Sequence, residues 1–167
     1  MSSMKKNVIS FWGEHNKFGE FSNFYPSEFK INVDNIDYKF NCSEQAFMFF
    51  KALFFSDEDV ASEILKETNP KKIKALGRRV KNFNEQRWTN ASYNIMKKVV
   101  LAKFNQDKHC KRLLLATGDS ILVEASPYDK IWGVGVRYPE SSNPSNWKGK
   151  NQLGEILMTV REELKSQ

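Results

Sequence analysis

Glu44 has the residue type and the setting of an acid–base group. It lies in the segment NCSEQAFMFFK, directly after Ser43, a residue that favours helix starts, and before the apolar residues 47–50. Apolar neighbours exclude water from a carboxylate and raise its pKa, which suits a glutamate for proton transfer near neutral pH. A structural role is the alternative, because a glutamate in the first turn of a helix also complements the helix dipole.

Asp129 and Trp132 form a second group, in the segment ASPYDKIWGVG. An aspartate in a proline-containing turn usually bonds to its own backbone, but its carboxylate can also act on a substrate. Trp132 can stack on a flat base or a ribose, or it can belong to the core. Gly133 and Gly135 permit a close approach of the backbone to a ligand, although their spacing is not a dinucleotide-binding fingerprint.

Basic side chains that can bind phosphate lie on predicted helices. Lys51 follows Glu44 by seven residues, so the two share a helix face. The segment PKKIKALGRRVK, residues 70–81, adds Arg78 and Arg79. This segment is either a contact surface for phosphate or nucleic acid, or a solvated helix face.

The elements that must position these groups begin with strands. Residues 8–12 form a short apolar run that predicts a strand. Residues 29–33 and 36–40 alternate apolar and polar side chains around Asp34 and Asn35, two typical turn residues. This pattern predicts a β-hairpin.

Helices are predicted for most of the remaining chain. We expect Ser43 to cap a helix that runs through Phe55, Ser56 to cap the next, and Asn69-Pro70 to start a third. The later elements are a long fourth helix marked by Trp88, Ala91, Ile95, Val99 and Ala102, a fifth from Asp107 to near Gly118, a strand at residues 121–125, and a C-terminal helix marked by Leu153, Ile156, Leu157, Val160 and Leu164.

Two polar loops carry aromatic rings. Residues 13–27 and 126–150 are rich in Gly, Pro, Ser and Asn, and they contain Phe18, Phe21, Phe24, Tyr25, Tyr128, Trp132, Tyr138 and Trp147. A long loop in a compact domain usually serves function. We therefore expect both loops to form walls of a ligand site.

Composition indicates an ordinary globular protein of 167 residues, which predicts a single domain spanning residues 1–167. No run of residues reaches the ~20 apolar positions that cross a bilayer, and the N-terminus lacks the features of a signal peptide. The charge of +6, from 26 basic and 20 acidic residues, suits a partner that carries phosphate, although many intracellular proteins are mildly basic.

Cysteine and histidine are too few and too scattered for several kinds of site. Cys42 and Cys110 form no CxxC motif, which predicts free thiols in a reducing compartment such as the cytoplasm. Cys42 is a conceivable nucleophile, but we expect a buried thiol because no histidine is near it in sequence. Since His15 and His109 are the only histidines, we expect no metal site built on histidine.

Several long segments resemble the NADAR (YbiA-like) family, in the same order and over about residues 9–164. The matching segments are FWGEHNKFGEFSNFYPSEF, YKFNCSEQAFMFFKALFF, NPKKIKALGRRVKNFNEQRW, KFNQDKHCKRLLLATGDSILVEASPYDKIWGVGV and NWKGKNQLGEILMTVREEL. The resemblance implies a compact, mainly helical α+β domain with a small antiparallel sheet. It also implies an N-glycosidase that cleaves the bond between ribose C1 and a nitrogen.

The resemblance further implies substrates and site residues. The substrates are phosphorylated ribosylamino-pyrimidine intermediates of riboflavin synthesis, or ADP-ribose attached to guanine, including guanine in DNA. The family's proposed active-site residues fall on Glu44 in the SEQ motif and on Asp129 and Trp132 in the DxxWG motif. Lys51 and the SNFYP stretch, which holds Asn23 and Phe24, also fall at motif positions.

The resulting hypothesis is hydrolysis by two carboxylates without metal or cofactor. Loss of the nitrogen builds positive charge on the ribose, which an ionised carboxylate stabilises, while a second carboxyl group protonates the base or activates water. Lys51, Arg78 and Arg79 would contact phosphate. The alternatives are a module that binds ADP-ribose without turnover and a basic nucleic-acid-binding domain, for which the sequence offers no reading motif.

Overall fold

The computed structural model describes residues 6–167, so residues 1–5 of the predicted domain and of the N-terminal segment lie outside the described part. The described chain divides into two units. The central unit is Asn23–Asp107, and the terminal unit joins the residues up to Ser22 with Lys108–Gln167.

Four strands and six α-helices make up the regular structure of the described residues. The strands are β1 (Val8–Phe11), β2 (Phe29–Val33), β3 (Ile36–Phe40) and β4 (Ile121–Glu124). The helices are α1 (Ser43–Phe54), α2 (Glu58–Lys66), α3 (Pro70–Arg78), α4 (Glu85–Gln106), α5 (Lys108–Ala116) and α6 (Gln152–Lys165). Short 3-10 helices lie at Gly19–Phe21, Glu140–Ser142 and Pro144–Asn146.

The central unit combines the hairpin β2–β3 with helices α1–α4. The two strands pair in antiparallel register with Phe29 opposite Phe40 and Val33 opposite Ile36. Asp34 and Asn35 both have positive φ, at 51° and 68°, which matches the right-handed twist of a tight hairpin. The apolar faces of hairpin and helices share one core, which removes most of their large side chains from water.

The terminal unit contains the two strands predicted at residues 8–12 and 121–125, and it joins them as a parallel pair, which the sequence patterns did not predict. β1 pairs with β4 in register from Val8–Ile121 to Phe11–Glu124, and α6 packs against β4. The side chain of Asn151, at the start of α6, accepts a hydrogen bond from the Glu124 backbone N–H and donates one to the Leu122 carbonyl, both at 3.0 Å. A single polar side chain therefore fixes the helix to the strand.

The fold-class prediction is confirmed, because the described chain is mainly helical and contains the predicted antiparallel hairpin. Two predicted helix caps are wrong. The cap of α1 is Cys42, and Ser43 is already helical. The cap of α2 is Asp57, whose carboxylate accepts a hydrogen bond from the Val60 N–H, because it lies one residue nearer the helix than Ser56.

Asn69 caps α3 as predicted, and its side chain accepts hydrogen bonds from the N–H groups of Lys71 and Lys72. Gly118 follows α5 with a φ of +63°, the left-handed conformation expected at a helix end. Within residues 6–167, no helix combines the length and the apolar character that crossing a membrane requires.

Candidate active site

Glu44 lies in the first turn of α1, in the central unit, with only 9% of its surface exposed. Its backbone N–H donates a hydrogen bond of 2.9 Å to the carbonyl of Asn23. This bond satisfies one of the donors that a helix start leaves unpaired. The side chain of Asn23 donates to Met96 Sδ at 3.6 Å, so the SNFYP stretch is held against the start of α1 and against α4.

Lys51 lies on the same helix as Glu44 and is half-buried. Its Nζ is 4.8 Å from the ring centre of Phe83 and 5.9 Å from that of Trp88. Burial lowers the pKa of the Lys51 ammonium below its ordinary value, the negative charge of Glu44 opposes this shift, and the positive charge of Arg78 adds to it. Two other predicted site residues, Glu44 and Arg78, therefore act on the charge of Lys51.

The other predicted substrate-binding residues of the central unit have contacts of their own. Arg79 follows α3, is exposed, and lies 4.0 Å from the carboxylate of Glu63. Lys74 of α3 places its Nζ 6.0 Å from the ring centre of Phe24. Phe24 thus lies beside the basic helix, whereas Arg79 extends toward α2.

Asp129 lies in a tight turn of the terminal unit and is half-buried. Its Oδ1 accepts hydrogen bonds from the backbone N–H groups of Ile131 and Trp132, at 2.9 and 2.8 Å. Ser126 Oγ accepts two further bonds, from the N–H groups of Tyr128 and Asp129. The structural role that the sequence allowed for Asp129 is therefore present, and it uses one of the two carboxylate oxygens.

Gly133 is buried, and its surroundings explain why it lacks a side chain. A Cβ at this position would lie 2.9 Å from the carbonyl oxygens of Asp129 and Glu124. We expected Gly133 to allow a close approach of its backbone to a ligand. In the structure, its backbone instead lies close to other backbone atoms of the protein. Trp132 is half-buried, and its carbonyl accepts a hydrogen bond from the Leu153 N–H.

Cys42 is buried, as expected from its sequence context. Burial raises the pKa of its thiol, and the negative charge of Glu44 raises it further, while backbone hydrogen bonds from Gln45 and Glu44 act in the opposite direction. A thiol with a raised pKa is a poor nucleophile near neutral pH. The environment of Cys42 therefore favours the structural alternative.

The terminal unit also contains a cavity of about 640 Å³ beside β1. Both aromatic loops contribute to it, the first through Asn16, Lys17 and Phe18, and the second through Arg137 and Tyr138. Both loops thus line one cavity, and their expected role as walls of a ligand site stays a prediction. The sequence reasoning did not single out Trp12 or Arg137, which both line the cavity, although Trp12 is the last residue of a predicted strand.

The predicted site residues fall into two sets. The central unit holds Asn23, Phe24, Glu44, Lys51, Arg78 and Arg79, and the terminal unit holds Asp129, Trp132 and Gly133. Convergence of Glu44 and Asp129 on one substrate stays a prediction. Among residues 6–167, no cluster of three or more His, Cys, Asp and Glu side chains is suited to hold a metal ion.

A family model described as the NADAR domain matches residues 10–165. The chain belongs to the NADAR family. This membership confirms the resemblance drawn from the SEQ and DxxWG motifs, and the one family domain includes residues of both structural units.

Three relatives are similar to this chain over most of its length. Protein irg-1 of Caenorhabditis elegans is 46% identical over 158 residues, covering 86% of this chain and 74% of that protein. An N-glycosidase of Acanthamoeba polyphaga mimivirus is 40% identical over 146 residues, covering 86% of each chain. N-glycosidase YbiA of Escherichia coli is 33% identical over 161 residues, covering 96% of this chain and 91% of that protein.

The NMR structure of the Escherichia coli protein YbiA is also similar in fold. The TM-score is 0.77, with 32% sequence identity, and the match covers 98% of this chain and 88% of that chain. The mainly helical α+β architecture is therefore shared with a solved structure of a family member.

Proposed function

We propose that this chain hydrolyses the bond between ribose C1 and a base nitrogen in a phosphorylated ribosyl substrate, with Glu44 and Asp129 as the two carboxylates. The broader prediction, an enzyme that hydrolyses N-glycosidic bonds, is confirmed by NADAR membership and by the two N-glycosidases among the relatives. The substrate and the roles of the residues are the proposal.

The observation that carries the proposal is the setting of Glu44. Glu44 is 9% exposed as a residue and lies at a helix start, and the same unit supplies the cations Lys51 and Arg78. The charges of Glu44 and Arg78 both act on the ammonium of Lys51. A carboxylate beside a ribose stabilises the positive charge that develops as the nitrogen leaves. Cations nearby favour a ribose that carries phosphate.

Asp129 and Trp132 complete the proposed chemistry. Asp129 Oδ1 is bound to the turn, whereas Oδ2 has no hydrogen-bond partner among residues 6–167 and can serve a substrate hydroxyl or a proton transfer. Trp132 would stack on the base or the ribose and exclude water.

The reaction needs only water as co-substrate. The C1–N bond breaks with its electron pair moving to the nitrogen, one carboxyl group delivers a proton to that nitrogen, and the hydroxyl of water bonds to C1. The water proton passes to the carboxylate that protonated the nitrogen, directly or through the second carboxylate, which restores the starting state. Either carboxylate can take either role in this scheme.

Within this scheme we propose ADP-ribosylated guanine, free or in DNA, as the substrate, with ribosylamino-pyrimidine phosphate as the competing one. The side chains of Lys71, Lys72 and Lys74 on α3 are exposed, and such a group of cations favours the larger polyanion. If DNA uses this face, turnover of ADP-ribosylated DNA will fall as salt increases. If the turnover of ADP-ribosylated DNA does not depend on salt concentration, the proposed contact between DNA and α3 is contradicted.

The decisive experiment is mass spectrometry of products from wild-type protein incubated with both substrate classes. We expect release of free base by the wild type, and a loss of about 100-fold or more in Glu44→Gln and in Asp129→Asn, each with its fold intact. Glu28→Gln is the matched control, because Glu28 lies in the central unit with its side chain 70% exposed. Full activity in both carboxylate variants would overturn the mechanism.

The same set of substrates distinguishes an enzyme from a module that binds ADP-ribose without turnover. If the wild type binds intact ADP-ribose but releases no base from any substrate, the chain is a binding module. Trp132→Ala adds a second criterion: we expect a large loss of turnover with the fold retained. Unfolding of Trp132→Ala would instead assign this residue to the core.

A further inference from the structure

Strand β3 of the central unit has an outer edge that faces away from β2. The two strands pair in antiparallel register with Lys30 opposite Lys39. Lys30 gives both of its backbone groups to the Gln106 side chain, since its N–H donates to Oε1 at 2.8 Å and its carbonyl accepts from Nε2 at 2.7 Å. Opposed residues of an antiparallel pair exchange both hydrogen bonds or none, so the backbone groups of Lys39 point away from β2.

Two residues of β3 direct their backbone groups to this outer edge. Because the pattern repeats at every second residue, the N–H and the carbonyl of Asp37 point outward as those of Lys39 do. Among residues 6–167, neither backbone makes a hydrogen bond at this edge, and both side chains are exposed. A strand edge of this kind is a template on which another strand can pair.

The sequence of β3 is complementary to itself when two copies run antiparallel. If Tyr38 lies opposite Tyr38 of the second copy, Asp37 lies opposite Lys39, and Lys39 lies opposite Asp37. Both of these opposed pairs exchange two backbone hydrogen bonds, since their backbone groups point outward. Each pair also joins an acid to a base on the exposed face. Opposite charges directly across two strands stabilise the pairing, whereas like charges destabilise it.

The side chains of β3 can accept these new partners. Asp37 Oδ1 accepts a hydrogen bond from the Asn32 side chain at 2.8 Å, which leaves Oδ2 for a lysine. Lys39 Nζ lies 3.5 Å from Glu28 Oε2, and its side chain is 59% exposed, so a second carboxylate can approach it. On the other face of the strand, Ile36 is 55% exposed, and a neighbouring strand would remove part of this apolar surface from water.

We propose that β3 pairs with β3 of a second copy of this chain, antiparallel and with the two-fold axis at Tyr38. A strand of another protein would need the same order of acid and base, which a second copy carries in its sequence. The contact is self-complementary and therefore closes at two copies. Gln106 occupies the opposite edge of the hairpin at Lys30, which opposes the addition of a further strand there. The pairing uses none of the predicted site residues.

Sedimentation velocity of the full-length protein, from micromolar to millimolar concentration, tests this proposal. Because β3 has only five residues, we expect a reversible equilibrium of monomer and dimer that depends on concentration. Lys39→Asp places two acids opposite each other in both pairs and should weaken dimerisation at least about tenfold. Lys66→Asp is the matched control, because Lys66 is exposed on α2, outside the hairpin, and the change in charge is the same.

An exchange of the two charges tests the register of the pairing. Asp37→Lys alone should weaken dimerisation as Lys39→Asp does. The double variant Asp37→Lys with Lys39→Asp again places an acid opposite a base, so its dimerisation should return close to that of the wild type. Asp37→Lys with Lys66→Asp has the same net charge but leaves two lysines opposite each other, and its dimerisation should stay weak.

A cross-link tests the position of the two-fold axis. Opposed residues that exchange no hydrogen bonds have Cα atoms about 4.5 Å apart, within the ~4.4–6.8 Å that a disulfide spans. Under oxidising conditions, Tyr38→Cys should therefore form a disulfide between two chains. Asp37→Cys lies away from the axis and should form none, and the native Cys42 and Cys110 are buried.

Three results would overturn the proposal. A protein that is monomeric at every concentration leaves this edge to a strand of another protein. A dimer that Lys39→Asp does not weaken, or that the charge exchange does not restore, uses another surface. An assembly larger than a dimer contradicts the two-fold contact. Should Lys39→Asp not fold, Lys39→Pro replaces it, because proline removes an outward N–H and keeps the hydrogen bonds to β2, and the folded variant should be monomeric.

Discussion

Asp129 Oδ1 accepts a hydrogen bond from the backbone N–H of Trp132 at 2.8 Å, so a predicted catalytic carboxylate also shapes the turn that carries the predicted stacking residue. The same oxygen accepts a bond from the Ile131 N–H at 2.9 Å. The turn therefore uses a side chain for which we also propose a catalytic role. Substitutions that remove the charge but keep the acceptor can distinguish the two roles.

Asp129→Asn and Asp129→Ala should differ in stability but not in activity. Asparagine keeps an oxygen acceptor at Oδ1, whereas alanine removes it and leaves two N–H groups without their partner. We expect Asp129→Ala to be about 1 kcal/mol less stable than Asp129→Asn in urea unfolding. Both variants should lose about 100-fold or more in turnover. If Asp129→Asn keeps its turnover, Asp129 has only a structural role in the turn.

Lys51→Met should change the pH dependence of stability. Because the pKa of Lys51 in the folded protein lies below its ordinary value of 10.5, the unfolded chain binds more protons than the folded protein between these two pKa values. Wild-type stability therefore gains a contribution as pH rises through that window. The Lys51→Met variant lacks this contribution. The free energy of unfolding of the variant, minus that of the wild type, is therefore greatest near neutral pH and falls as the pH becomes alkaline.

Urea unfolding at several pH values from neutral to alkaline measures this effect. Lys98→Met is the matched control, since Lys98 is exposed and its Nζ also lies over a phenylalanine ring, 5.5 Å from the centre of Phe50. If Lys98→Met shows the same pH-dependent difference in stability, the burial of Lys51 is not the cause of the difference.

Cys42→Ala should retain turnover, because burial raises the pKa of the thiol and keeps it protonated near neutral pH. In the native protein, both Cys42 and Cys110 are buried and should react slowly with a thiol reagent. Unfolding should release two reactive thiols per chain, the number in the sequence. A folded Cys42→Ala protein without turnover would identify Cys42 as a nucleophile after all.

Gly154→Ala should destabilise the protein by about 1–3 kcal/mol or more. A Cβ at this position in α6 would overlap the carbonyl oxygen of Leu122 on β4, which the backbone cannot avoid without moving. Gly118→Ala is the comparison, since nothing lies within 4 Å of its Cβ position and only its φ of +63° opposes the change. Thermal unfolding should show the larger loss for Gly154→Ala, and equal losses would contradict the packing argument.

Local sequence patterns were sufficient for most elements. The hairpin was predictable because Asp34 and Asn35 tolerate positive φ and because alternation along each strand gives its buried face. The start of α3 was predictable because Asn69 and Pro70 have the two residue types that helix starts favour. The caps of α1 and α2 were wrong by a single position. At α2 the carboxylate of Asp57 accepts the bond expected of Ser56, whereas Cys42 caps α1 without a side-chain hydrogen bond.

The sequence by itself determined the hairpin, the helices, the NADAR motifs and the candidate residues Glu44, Asp129 and Trp132, because turn chemistry, periodicity and motif spacing are properties of neighbouring residues. Only the tertiary structure decided the parallel pairing of β1 with β4, the effect of Arg78 and Glu44 on Lys51, and the cavity beside Trp12. The physical reason is that strand pairing, desolvation and cavity walls depend on residues that are far apart in the chain, and no local preference encodes which distant partners meet.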